Sequence, residues 1–288
     1  MVKRGLLTLG IVTCLQSHAL ATWSVIAVDR SNGQVIIASA TCVPQSRFPP
    51  RPARDLMDIQ AVIVPGVGVA ACQAGVDNTR ANQMIVYEEL RKGTDPARII
   101  ELLREHESGK DEPLMERRQF GILDLQGRSA GFNGEDNNPA SLYVSGQVGE
   151  DIFFQVQGNI LFSDNVAENA ALAFTRAKGT LADRVMAAME GADEMGGDKR
   201  CTCEEEPRPA APCDAKTAHV AYIAIANKDD ATGQSHNDGD YFAYLSVTDE
   251  DIRPEENANP VKTLRLRYDD WKNAGSARTG MPKGTVPR

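Results

Sequence analysis

The sequence predicts an α+β protein in which two antiparallel sheets are faced by helices. Two observations point there. Apolar runs of strand length come in pairs around turn signals, and helical spacing appears between those pairs rather than after every strand, unlike the strict alternation of a parallel βαβ sheet. The order reads strands, helix pair, strands, helix pair, strands, with no internal repeat.

Residues 23–29 are β-rich, Ser31-Asn32-Gly33 marks a turn and 34–40 returns, which makes a first hairpin. Residues 44–54 carry four prolines and read as a loop. Residues 59–64 and 67–73, parted by Pro65-Gly66, form a second hairpin. Helical spacing follows over 78–92, and a second helix opens at Pro96 behind an Asp95 or Thr94 cap. Residues 119–125 and 128–132, joined by Gln126-Gly127, make a third hairpin, and 152–157 another strand. Ser163 or Asp164 caps a helix over 165–178, and 181–189 continues as the next. An irregular insert over 196–214 precedes strands at 218–226 and 241–247, and a Gly/Ser/Pro-rich tail over 273–288 reads as disordered.

The N-terminus gives this frame a chemical possibility. Lys3 and Arg4 precede a short apolar stretch over 5–15, and Ala19-Leu20-Ala21 supplies small residues for a signal-peptidase cut before Thr22. A lipoprotein cut before Cys14 is disfavoured because Thr13 is bulky for that site. Cleavage would leave 22–272 as the mature domain, with Thr22 carrying a free α-amine beside its own hydroxyl. Such an amine, with an unperturbed pKa of about 7.7–8.0, can accept the hydroxyl proton and activate it as a nucleophile. Export to the periplasm or medium follows from the same reading. A threonine after a cleavage site is ordinary, however, and by itself says little.

Composition narrows the partners. The chain is 42% hydrophobic and 25% charged, ordinary for a globular protein, and its net charge of −9 offers no basic stripe for nucleic acid. Beyond the signal segment no apolar run reaches the roughly 18–20 residues that span a bilayer. Cys42, Cys72, Cys201, Cys203 and Cys213 would survive cleavage and, in an oxidising compartment, are disulfide candidates, with Cys42–Cys72 the expected pair. Cys201-Thr202-Cys203 with Cys213 lacks zinc-finger spacing, so neither a metal nor a cofactor is expected. The histidines read as surface or capping residues, and no Gly-x-Ser-x-Gly elbow occurs. The 237–240 segment (Asn-Asp-Gly-Asp) is a turn more than a calcium loop.

Several segments carry a resemblance. Thr22-Trp23-Ser24-Val25-Ile26-Ala27-Val28-Asp29, Arg118-Gln119-Phe120-Gly121-Ile122-Leu123-Asp124 and Gln157-Gly158-Asn159-Ile160-Leu161 are the longest. With 131–136 and Gly196-Gly197-Asp198 they resemble, in order from Thr22 to about Val247, the family known as domain of unknown function 1028. That family is similar in fold to the N-terminal nucleophile (Ntn) hydrolases, a four-layer αββα sandwich, so the resemblance implies that architecture and a Thr22 nucleophile, but no substrate. Residues 42–55 and 199–216 depart from its simplest members.

Taken together, the reading is an exported hydrolase of an amide bond that works through an acyl-enzyme on Thr22. Its partner would be an amide-containing small molecule or peptide; self-association is left open. Gly158 N–H and the Asn159 side chain, beside Gln157 at a strand end, are the oxyanion candidates of this reading, although spacing alone favours a strand-to-helix turn in which Asn159 satisfies backbone groups. Gln73, Arg118 and Asn133 are further cleft candidates, and Asp29 or Asp198 would orient the amine. The alternative is a non-catalytic module on the same fold that binds an envelope component or peptide.

Overall fold

The computed structural model describes residues 22–48, 56–110, 114–137 and 139–279. The expected signal segment, 1–21, lies outside the described residues. In chain order the elements are β1 (Thr22–Asp29), β2 (Gln34–Thr41), α1 (Leu56–Gln60), β3 (Ala61–Val64), β4 (Gly68–Ala74), α2 (Ala81–Lys92) and α3 (Pro96–Ser108). There follow β5 (Arg118–Asp124), β6 (Ser129–Asn133), β7 (Leu142–Val148), β8 (Ile152–Asn159), α4 (Asn165–Arg176), α5 (Leu181–Glu194), β9 (Val220–Ala226), β10 (Ala243–Thr248) and α6 (Pro260–Asn273).

The strands form two antiparallel sheets. One has six strands in the order β10-β9-β2-β1-β8-β7; the other has four, β3-β4-β5-β6. The α+β expectation with antiparallel sheets therefore holds. β1 is central, pairing β2 from Thr22↔Thr41 to Asp29↔Gln34 and β8 from Thr22↔Asn159 to Asp29↔Ile152.

Strand parity sorts the side chains into three cores. Trp23, Val25 and Ala27 of β1 join Val156 of β8 in packing against Phe174 of α4, Met186 and Met189 of α5 and Leu264 of α6. Ile26 and Val28, one residue out of phase, face the other sheet and meet Ile63, Val69 and Leu123. On the far side of the four-stranded sheet, Ala70, Cys72, Phe120 and Ile122 pack against Val86, Leu90, Ile99 and Leu103 of α2 and α3. Each fully buried side chain of this size contributes about 1.5–3 kcal/mol, so the two sheets and their helices are held by three separate apolar layers.

Caps explain where the helices start. Asp95 accepts from Ala97 N with Pro96 in the first turn, and Thr180 and Asp183 form a capping box for α5. Asn259 accepts from Val261 N, and Pro260 opens α6. Helix α6 and strand β7 were not read from the sequence. The Asn-Pro start of the first, and the alternation of half-buried and exposed residues in the second, were their signals.

Several expectations need correction. Cys42 bonds Cys201, and Cys203 bonds Cys213; Cys72 is a buried free thiol. Parity is the reason: Cys42 follows β2 at the end of the six-stranded sheet, whereas Cys72 turns outward beneath α2 and α3. Burial, with Asp77 nearby, pushes the Cys72 thiol strongly up, so it stays protonated. Ile59 and Gln60 belong to α1 rather than to the following strand, with the Ile59 carbonyl accepting from Gln83 Nε2 at 2.6 Å. The first residues of the expected tail are placed against the fold. Thr279 N donates to Phe242 O at 3.2 Å and Trp271 Nε1 to Ala277 O at 2.7 Å, so 274–279 is tied to the preceding structure. Residues 280–288 lie outside the described residues.

Candidate active site

The layer between the sheets changes character along β1. Toward Asp29 it is aliphatic; toward Thr22 it is made of hydroxyls and carboxamides. Thr22, Ser24, Thr41, Ser39, Gln73, Gln119, Gln157 and Asn159 are all buried there. Parity produces this cluster, because Thr22 and Ser24 share a face with Ile26, as do Asn159 and Gln157 on β8, and Gln73 and Gln119 point back from β4 and β5.

Gln73 is the hub. Its Nε2 donates to Thr22 O at 2.9 Å and to Gln119 Oε1 at 2.8 Å, and lies 3.5 Å from Asn159 Oδ1. Its Oε1 accepts from Ser24 Oγ. Ser24 Oγ is also 3.1 Å from Ser39 Oγ and accepts from Gln60 Nε2 at 3.0 Å. Gln119 Nε2 passes the network on to Gly158 O at 2.8 Å and Asn133 Oδ1 at 3.2 Å. Asn133 Nδ2 in turn donates to Ser141 O at 3.0 Å. Each of these groups left unpaired would cost about 1–3 kcal/mol, so the network explains how a polar layer survives between two sheets.

Thr22 lies at one end of it. Its Oγ donates to Thr41 Oγ at 3.3 Å across the first pair of the β1–β2 ladder. Asn159 faces it from the other side and turns its carboxamide oxygen toward Gln73. The side chains named around Thr22 are neutral.

Backbone strain marks the same place. Ala74 follows Gln73 with φ 69°, and Ile160 follows Asn159 with φ 55°. Left-handed backbone costs a non-glycine residue of order 1–3 kcal/mol, most for a β-branched one, and such residues cluster at functional sites. Here the strain ends β4 and β8 immediately after the two carboxamides.

The sequence candidates divide. Thr22, Gln73, Asn133, Gln157 and Asn159 are brought into one layer; Gln157 Nε2 donates across the sheets to Ala71 O at 3.0 Å. Asp29 is removed: it sits at the opposite end of β1, about 23 Å away at the rise of an extended strand. Its carboxylate accepts from Ser31 N at 2.9 Å, Ser31 Oγ at 2.6 Å and Asn32 Nδ2 at 2.9 Å, holding the hairpin turn. Arg118 is also removed, since it alternates with Gln119 and points toward α3. There it meets the Glu107 carboxylate at 3.5 Å and donates to Gly75 O. Lys110, Asn82 and Arg118 hold the Glu107 carboxyl below its usual range despite burial.

Gly158 pairs Trp23 on one side and Leu142 on the other, so its N–H runs along the sheet toward one of those strands. That direction does not present it to a cleft. Asp198 is buried, and both of its oxygens are occupied. Oδ2 accepts from Cys42 N at 3.0 Å and Arg200 Nη2 at 2.8 Å, and Oδ1 from Arg200 N at 3.1 Å and Nε at 3.0 Å. It ties the 198–201 segment to the end of β2 rather than serving an amine. The adjacent Gly197 has φ 47°, and a Cβ there would lie 2.7 Å from the Trp23 ring, which accounts for the Gly-Gly-Asp sequence. Ser24, Ser39, Thr41, Gln60 and Gln119 were missed. The alternation of Thr22 and Ser24 on the strand was the available signal for one of them.

Residues 22–206 match the model of a family of unknown function, DUF1028. The chain belongs to this family. No curated protein matches it. Among solved structures it is similar to the crystal structure of protein SPO2555 from Silicibacter pomeroyi, of the same DUF1028 family, with a TM-score of 0.60 at 20% sequence identity. The similarity covers 92% of this chain and 97% of the other, and at that identity it speaks for the fold. The family match begins at Thr22, the first residue of β1.

Proposed function

We propose that this DUF1028 protein is an exported N-terminal-threonine hydrolase of amide bonds. The observation that carries the reading is the convergence of Thr41, Gln73 and Asn159 on Thr22 at one end of the inter-sheet layer. Two facing sheets with helices on both outer faces support the αββα sandwich of the Ntn hydrolases. Two disulfides fit an oxidising compartment and hence export.

In this reading, removal of 1–21 frees the Thr22 amine. The amine takes the Oγ proton, directly or through water, while Oγ attacks a substrate carbonyl. Thr41 Oγ orients the hydroxyl, and Gln73 fixes the Thr22 carbonyl and so the backbone that carries both groups. Asn159 Nδ2 is the donor for the developing oxyanion. The protonated amine returns its proton to the leaving nitrogen, and water then releases the acyl group.

The test is N-terminal sequencing of exported protein, then incubation with a β-lactone and peptide mapping. The expected result is Thr22 at the terminus with one acyl adduct on it, reduced in Thr22→Ser and absent in Thr22→Ala. A mature chain that begins elsewhere sinks the mechanism. The neutrality of Thr41, Gln73 and Asn159 favours one rival, a binding module on the same fold. A terminal but inert Thr22 would decide for it.

A further inference from the structure

A second constellation lies one residue beyond Thr41. Cys42, Cys201 and His219 are all buried, and each places a ligand atom within 4.8 Å of the other two. Cys42 follows β2, His219 precedes β9, and His219 N donates to Thr41 O at 2.7 Å. Asp198 holds Cys42 N from one side, and Cys201 N donates to Asp198 O at 3.2 Å.

The imidazole is unusual. His219 is 1% exposed, yet its Nδ1 has no hydrogen-bond partner. A buried ring nitrogen left so costs about 1–3 kcal/mol. Two thiolates and a neutral imidazole are the donor set of a tetrahedral zinc-type site, with a fourth position for water. Metal–ligand bonds of about 2.0–2.3 Å need donor separations of roughly 3.3–3.8 Å, so the two sulfurs, bonded to each other in the oxidised chain, must part on reduction to take up a cation beside His219.

We infer that the reduced protein holds a borderline-soft divalent cation at Cys42, Cys201 and His219, so that disulfide formation and metal capture are alternative states of this corner. The inference is independent of catalysis at Thr22. A phosphine reductant opens the state: phosphorus takes the oxygen of water, the S–S bond breaks and each sulfur gains one proton. Binding the cation then forms two thiolate–metal bonds and releases those two protons. Cys42 N–H, held by Asp198, stays in place to orient the first ligand.

The experiment titrates Co2+ into the full chain, oxidised or reduced with a trialkylphosphine, and reads thiolate-to-cobalt absorption. One equivalent should bind the reduced chain and none the oxidised chain. The signal should persist in Cys203→Ser/Cys213→Ser and vanish in Cys42→Ser/Cys201→Ser. His219→Ala keeps all cysteines and should weaken binding by about tenfold or more. If reduction loosens the fold, Zn2+ should restore the native circular dichroism in the parent chain and not in His219→Ala. Equal binding by His219→Ala, loss of binding in Cys203→Ser/Cys213→Ser, or no stoichiometric binding and no restoration would each overturn the inference.

Discussion

Thr22 and Thr41 face each other as the first residue of β1 and the last of β2, with their hydroxyl oxygens 3.3 Å apart. A ladder pair fixes this relationship as firmly as any in the molecule, because both side chains project from the same face of adjacent central strands. The hydroxyl of Thr41 is thus held where it can set the rotamer of Thr22.

Thr41→Val keeps the shape and removes the hydroxyl. If Thr41 orients the Thr22 hydroxyl, acylation by the β-lactone should slow by about tenfold, roughly 1.4 kcal/mol, with stability changed by no more than about 1.5 kcal/mol. Time-resolved intact-mass spectrometry and urea denaturation read the two effects. An unchanged acylation rate would remove Thr41 from the site.

Gln73→Leu should cost about 2–4 kcal/mol in urea denaturation, because it removes one hydrogen-bond partner from each of the Thr22 carbonyl, Ser24 Oγ and Gln119 Oε1 at once. Acylation of Thr22 should fall with it. A cost under about 0.5 kcal/mol would mean that the carboxamide network contributes little to the inter-sheet layer.

The disulfides should differ in worth. Cys42–Cys201 closes 159 residues and Cys203–Cys213 closes 10. In the chain-entropy account these correspond to about 5 and about 3 kcal/mol. The double serine variant at Cys42 and Cys201 should therefore melt at lower temperature than the one at Cys203 and Cys213. Calorimetry checks the order, and the reverse order would show that native-state contacts outweigh loop closure.

Acid should destabilise the fold in two steps. His219 and His236 are buried neutral, with pKa values lowered to about 3 and about 4, chiefly by burial. The unfolded chain, with ordinary histidines near pH 6.5, binds protons that the native one refuses. Stability is thus full above that pH and falls by about 1.4 kcal/mol per pH unit for each histidine down toward its folded pKa. Below about pH 4.5 the lowered carboxyls of Asp183, Glu107 and Asp77 add their own loss. His236→Gln should flatten the first step in urea titrations between pH 7 and about 4.5, and an unchanged slope would count against a neutral buried ring.

How much was legible in the chain can be argued from neighbours. The strand over 23–29, its return over 34–40 and the cap at Asp95 are local matters of alternation, turn chemistry and hydrogen-bonding side chains, and the sequence alone determined them. It also determined that Thr22 stands at the start of a strand, so that a cut before it would expose an α-amine at a strand end. What it left open was which face of each strand would meet which other element. Gln73 and Cys72 are adjacent, as are Gln119 and Arg118. Only the packing of the second sheet decided that the carboxamides turn inward while the thiol and guanidinium turn toward helices.

The same holds for Cys42 and Cys201, which pair because Asp198 and the start of β9 bring 198–201 to the end of β2. Alternation has a period of two, so a strand announces that it has two faces without naming what each one meets. The opening threonine was written locally, but the Thr41, Gln73 and Asn159 around it come from strands 19 to 137 residues away in the chain, joined only by the tertiary fold.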